Sequence, residues 1–261
     1  VIYIHSWSGG KDSTASIILA HEKQLAPGRI VMAEVMFDNK RGISGELPEH
    51  MEWVRQKAKP LFESWGFHVD ILQTERDFMD NFFFSITKGD HKGKLRGFPI
   101  GGHCNINRDG KSRVLANYFR ALKGQEITQY VGIAADEPKR LARLGDNKIS
   151  LLERYGYTES MAYEKCKEYG LLSPIYSFTK RGGCWFCPNQ CTKEFAHTKQ
   201  YHPELWDELR QLSTTPNLVS YGFRYEKTFH QIDTEVDAFL QKEEYRKAQI
   251  SLFDTETEEK E

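Results

Sequence analysis

Ser8-Gly9-Gly10-Lys11-Asp12-Ser13 lies between the apolar run Val1-Ile2-Tyr3-Ile4 and the segment Thr14 to Ala20, which is apolar at Ala15, Ile18 and Leu19. The first run reads as a buried strand and the second as the start of a helix. A strand, a glycine turn and a helix start together make an anion site. Glycine lets the backbone approach a phosphate closely and adopt φ > 0. The unbonded N–H groups of the first helical turn point at the anion, and the helix dipole adds to the attraction. Ser8, Ser13 and Thr14 offer hydroxyl donors, and Lys11 offers a point charge. Two familiar phosphate loops do not fit. A Walker loop needs Ser or Thr after Gly-Lys, where Asp12 stands. The dinucleotide fingerprint needs G-x-G-x-x-G, which Gly9-Gly10 does not supply.

Working outward, Arg29 to Phe37 reads as a second buried strand ending at Asp38. Pro48 suits the first turn of a helix whose apolar stripe is Met51, Val54, Ala58, Leu61 and Phe62, and Gly66 ends it. Phe67 to Leu72 is a third strand and Gln129 to Ala134 a fourth; a helix of about a dozen residues begins near Ser112. Thr158 caps another helix, which Gly170 ends. Alternating strands and helices predict an α/β fold with a mostly parallel sheet and helices on both faces. Ligands on such sheets sit beyond the carboxyl ends of the strands, where the loop at 8–13 and Asp38 would meet. The run Ala135-Asp136-Glu137-Pro138-Lys139-Arg140 leaves its strand at the same end; taken alone it is equally a surface turn. Residues 88–96, rich in Lys, His and Arg, read either as a solvated loop or as a basic flap over an anionic substrate. The predicted division is a nucleotide-binding α/β domain over 1–175, and a cysteine segment with a helical C-terminal region over 176–261.

Charged residues make up 28% of the 261 residues and hydrophobic ones 39%, which suits a globular protein. No apolar run approaches the roughly 18 to 20 residues of a membrane span. No stretch reads as a signal peptide, so a cytoplasmic location without membrane partners is expected. A net charge of −1 excludes a globally basic nucleic-acid binder but leaves room for a local basic patch. In a reducing compartment, five cysteines point to metal or catalysis more than to disulfides. Cys184-Trp-Phe-Cys187-Pro-Asn-Gln-Cys191 places three thiols within eight residues after a Gly-Gly turn. Such a set suits an iron–sulfur cluster or Zn2+, with Cys104 a natural fourth ligand. Cys166, inside a helical stripe, reads as a core residue.

The motif S-G-G-K-D-S resembles that of the PP-loop ATP pyrophosphatases. Four features follow the order of their phosphoadenosine phosphosulfate (PAPS) reductase-like branch. They are the loop at 8–13, the Phe37-Asp38 step, the G-x-x-x-D-E-x-x-R run from Gly132 to Arg140, and G-C-W-F-C-P at 183–188. The resemblance covers residues 1 to about 195. It implies the adenine nucleotide alpha hydrolase-like fold, with ATP or a related adenine nucleotide gripped by Ser8, Gly9, Gly10, Lys11, Asp12 and Ser13 and Mg2+ bridging its phosphates. Asp38 and Glu137 would line the nucleotide site, and catalytic work would fall to Lys11, Asp12 and Arg140. Cys104, Cys184 and Cys187, with Cys191, would hold a 4Fe-4S cluster. Two departures set this chain apart: no cysteine lies beyond Cys191, so the reductases' E-C-G-[LI]-H thiol is missing, and His103-Cys104 replaces the Cys-Cys pair of adenylylsulfate reductases. The cysteine order looks more like that of the DNA phosphorothioation sulfurtransferases of the same superfamily. The expected activity is therefore ATP-dependent sulfur transfer or nucleotidyl activation at the α-phosphorus, with a tRNA or DNA acceptor and a sulfur-donor protein among the possible partners. The alternatives are reduction of adenylylsulfate or PAPS, and a nucleotide-sensing module with a structural metal.

Overall fold

A computed structural model describes residues 1–100 and 104–258, with side chains through residue 249. His103 and the end of the acidic C-terminal run lie outside the described residues. The chain divides into two compact units, Val1–Asp80 with Asn105–Cys184, and Asn81–Cys104 with Trp185–Glu261.

The first unit opens with β1 (Ile2–Trp7), α1 (Lys11–Glu22) and β2 (Arg29–Glu34). β3 (Met36–Asp38) pairs antiparallel with β4 (Ile43–Ser44). The apolar run expected as one strand therefore breaks at Val35, and its last residues leave the main sheet. α2 (Pro48–Trp53) continues through a π-helical stretch, Val54–Ala58, into α3 (Lys59–Ser64). Its stripe is the predicted one, with Met51, Val54, Ala58 and Phe62 all buried. β5 (His68–Gln73) follows, then α4 (Phe78–Phe82), whose last two residues, Asn81 and Phe82, belong to the second unit. A π-helical stretch, Asn107–Ser112, leads into α5 (Arg113–Ala121), then β6 (Ile127–Val131), α6 (Pro138–Leu141), β7 (Lys148–Ser150), α7 (Leu151–Arg154) and α8 (Glu159–Glu168).

Five strands form one sheet in the order β5-β2-β1-β6-β7, and every pairing in it is parallel. Period-two alternation shows which helices cover which face. On β5, Val69 and Ile71 pack into the core with Phe62 of α3. Asp70 between them points the other way and accepts a 2.7 Å hydrogen bond from Tyr118 of α5. Helices therefore cover both faces, as the sequence predicts. α1 is buried over eight successive residues, Ser13 to Ala20, and packs against α7 and α8.

In the second unit, α9 (Thr192–Tyr201), α10 (Pro203–Ser213) and α11 (Phe229–Glu258) pack together. Phe82, Phe98, Phe195, Trp206, Phe223 and Phe229 are buried there. They meet through ring contacts of 4.9–5.8 Å, so the C-terminal aromatics build this unit's own core. Tyr221 and Tyr225 stay exposed. Among the described residues no helix is long and apolar enough to cross a membrane.

Candidate anion-binding crevice

The strand order marks where a ligand site is expected. From β1 the chain moves to one side for β2 and later to the other side for β6. The loops leaving β1 and β6 thus flank the point where the topology reverses, which is where open parallel sheets bind ligands. The first is the glycine loop at 8–13; the second begins at Gly132. The two abut: a side-chain carbon on Gly132 would stand 2.4 Å from Ser13 N and 2.6 Å from the Asp12 carbonyl carbon.

The loop is shaped by its own hydroxyls. Ser13 Oγ donates to Gly10 O at 3.0 Å and accepts the Ser8 N–H at 3.2 Å. Gly9 adopts φ +70°, which the left-handed turn demands. Gly10 is the N-cap of α1 and supplies no side-chain cap; the Lys11 N–H of this first turn goes instead to the Tyr176 hydroxyl. Thr14 does not serve as a loop donor: it is buried, and its Oγ1 accepts the indole N–H of Trp7 at 2.9 Å. The fourth helical residue falls on the core side of α1, not on its mouth.

Charge at the mouth is nearly balanced by the protein itself. Lys11 Nζ lies 2.7 Å from Asp12 Oδ1 and 3.6 Å from Glu159 Oε1. Burial raises the Asp12 pKa, and the hydrogen bond from Lys11 opposes that shift. Glu159 is the first residue of α8; Asp136 accepts its N–H at 3.0 Å and Thr158 caps the helix. Glu137 accepts the Ala134 N–H at 3.2 Å and two 2.7 Å bonds from Arg140. The D-E-x-x-R run thus folds into a self-bonded turn that leaves the Arg140 side chain more than half exposed.

Asp38 closes the β3–β4 hairpin. Its carboxylate accepts Arg41 Nε at 2.6 Å and the N–H groups of Lys40 and Arg41 at 2.9 and 3.1 Å. Burial works against its ionisation, but these bonds prevail and hold its pKa below the ordinary value. Cys166 is a core thiol as predicted. It is fully buried, its Sγ donates to Lys11 O at 3.1 Å, and burial pushes its pKa up to about 12. The cysteine run is divided: Cys184 ends the first unit, whereas Cys104, Cys187 and Cys191 belong to the second. Cys191 is the N-cap of α9, in a capping box with Glu194.

Three groups escaped the sequence reading. His50, on α2, presents its Nε2 edge to Gly9: a side-chain carbon on Gly9 would stand 2.4 Å from that nitrogen. Its Nδ1 is 2.7 Å from Ser173 Oγ. Tyr176, on the short turn Pro174–Ser177, accepts the Lys11 N–H at 2.8 Å. Burial pushes its pKa up to about 12, so it is a neutral hydroxyl. At the end of β2, the buried Glu34 takes two 2.8 Å bonds from Arg55 and one from Gln73. These partners lie far apart in sequence, so no local spacing announces them.

No family model matches the chain, and no curated protein matches it in sequence. Among solved structures it is similar to the phosphate complex of phosphoadenylyl-sulfate (PAPS) reductase from Candida auris. The TM-score is 0.44 at 10% sequence identity, over 71% of this chain and 82% of that one.

Proposed function

We propose that the crevice binds an adenine nucleotide by its phosphates and that the chain is an ATP-dependent sulfurtransferase or nucleotidyl-activating enzyme of the PAPS reductase-like PP-loop type. The observation that carries this reading is the start of α1, which its glycine N-cap leaves without a side-chain cap of its own, presented by a left-handed glycine turn at the reversal point of a parallel sheet. An acceptor oxygen attacks the α-phosphorus, the bond to the bridging oxygen breaks, and pyrophosphate leaves. A sulfur donor then displaces AMP. The N–H groups of the first α1 turn and Lys11 stabilise the charge that gathers on the departing phosphates. Arg140, on the neighbouring turn, supplies a guanidinium toward the acceptor side, and Glu137 holds it there.

Mg2+ fits the charge balance of the mouth. Asp12 and Glu159 outnumber Lys11, so a triphosphate needs a further cation, and the Asp12 carboxylate is the natural protein ligand. The donor set of Cys104, Cys184, Cys187 and Cys191 fits thiolate ligation. Tetrahedral Zn2+ at about 2.3 Å from each sulfur needs sulfurs within about 4 Å of one another. A 4Fe-4S cluster, whose irons each take one cysteine, accepts the same four thiolates, and the family resemblance favours it over zinc. When bound, such a cluster supplies electrons or a structural cross-link.

Gly9→Val should abolish ATP binding, because the side chain meets the His50 ring and the residue must hold φ +70°. Calorimetric titration of the folded variant checks this; an unchanged affinity refutes the site. Turnover is tested by pyrophosphate release from ATP with tRNA, duplex DNA and small acceptors. Sulfite release from adenylylsulfate or PAPS would assign the reductase reaction instead. For the cysteines, anaerobically purified Cys184→Ser and Cys187→Ser should lose iron and visible absorbance, whereas Cys166→Ser should keep both. A native protein free of metal, or full retention in Cys184→Ser, refutes the cluster.

A further inference from the structure

His50 and Ser173 form a buried pair whose geometry selects one tautomer. Both residues are about 2% exposed, which shields the contact between them from bulk water. The Ser173 hydroxyl has His50 Nδ1 as its hydrogen-bond partner, at 2.7 Å. If Nδ1–H donated to Ser173, the serine proton would be buried with no acceptor among the described residues, at a cost folding avoids. The serine therefore donates, Nδ1 is the bare nitrogen, and the ring proton sits on Nε2. Nε2 is the atom that lies against Gly9 of the phosphate loop. The ring is also kept neutral. Burial dominates in lowering its pKa; among the charged groups around it, Glu46 and Glu49 oppose that shift and Lys111 adds to it.

The geometry points to His50 as a ligand-contacting residue: its Nε2–H donates a hydrogen bond to a phosphate oxygen of the nucleotide bound at 8–13, and Ser173 is the positioning residue that fixes the tautomer. This rests on the nucleotide reading above and adds a donor outside the S-G-G-K-D-S motif. The same short turn serves the loop twice. Ser173 precedes it and orients His50, while Tyr176 within it accepts the Lys11 N–H and keeps its own proton to donate. Neutral donors suit this mouth, because Lys11 is already paired with Asp12 and lies near Glu159. They add binding for the polyphosphate without adding charge, as oriented dipoles do at preorganised sites.

The test uses the full chain with inorganic pyrophosphate and with ATP plus Mg2+. In the 15N spectrum of histidine-labelled protein, His50 should show a protonated Nε2 and a bare Nδ1, and the Nε2 signal should move as pyrophosphate saturates. A purely structural histidine would show no such response. His50→Phe keeps the ring beside Trp53 and should weaken both ligands by about 10- to 100-fold, the range for a hydrogen bond to a charged group. His50→Gln, which restores an N–H donor, should recover part of that loss, and Ser173→Ala should give mixed tautomers with a few-fold loss. An Nδ1-protonated ring, an unmoved Nε2 signal at saturation, or equal affinity in folded His50→Phe overturns the proposal while leaving the nucleotide site standing. Failure of the wild type to bind either ligand overturns the nucleotide reading and this proposal with it.

Discussion

Gly132→Ala is expected to destabilise the protein by about 3 kcal/mol, the upper range for forcing one extra carbon into a packed place. The added carbon would stand 2.4 Å from Ser13 N and 2.5 Å from Ser13 Cα. Those are backbone atoms of the first turn of α1, so no side chain can rotate out of the way. The exit of β6 and the start of α1 must separate instead. Under the proposed function the effect extends to the ligand, because the N–H groups assigned to the phosphates belong to the turn that moves. Affinity for ATP should fall in the same variant. Gly145→Ala is the control: its nearest neighbour is a side-chain oxygen 3.8 Å away, and a change within about 0.5 kcal/mol is expected. Urea midpoints and calorimetric titrations on the two variants decide it. An unchanged midpoint for Gly132→Ala would mean that the two loops do not abut.

Gly132 also shows how a motif residue differs from a ligand residue. In the sequence it opens a G-x-x-x-D-E-x-x-R run that looks like part of a binding site. In the structure its use is steric, since only a residue without a side chain lets β6 pass under α1. The strand, glycine loop and helix at the N-terminus were legible because each is a local signal: an apolar run, two glycines, then helical spacing. The cap of α8 was legible for the same reason. β3 was not. Its residues continue the apolar run of β2, and what turns them out of the sheet is pairing with the two residues of β4, which have no periodicity of their own. β7 is three residues long, too short to show a period, and closes the sheet edge by pairing with β6. His50 reads as one polar position on an amphipathic helix, and its partner lies 123 residues away. Tyr176 and Lys11 are 165 residues apart. The D-E-x-x-R run was visible, but not that Glu137 and Arg140 would spend their charges on each other.

The second large effect concerns His5, in the middle of β1. It is 1% exposed, and neither ring nitrogen has a hydrogen-bond partner among the described residues. Tyr130 and Phe67 lie against it at 4.7 and 5.2 Å between ring centres. Burial lowers its pKa from the ordinary 6.5 to about 3, because a charged imidazole cannot be solvated there. The unfolded chain takes up this proton near pH 6.5 and the folded chain does not until about pH 3. Between those values the unfolded state binds more protons, so the stability present above the unfolded pKa is lost as pH falls, at about 1.4 kcal/mol per pH unit. From about pH 7 to about pH 5, still above the range where carboxylates protonate, the loss from this one residue is about 2 kcal/mol. His50, whose pKa is also lowered by burial, adds to the slope in the same sense. His5→Phe keeps an aromatic ring between Tyr130 and Phe67 and removes both the titration and two unmet polar atoms. Urea unfolding at the two pH values should show the variant losing about 2 kcal/mol less than the wild type on acidification, with equal or greater stability at neutral pH. If both proteins lose the same amount, His5 is not the group that makes the fold sensitive to mild acid.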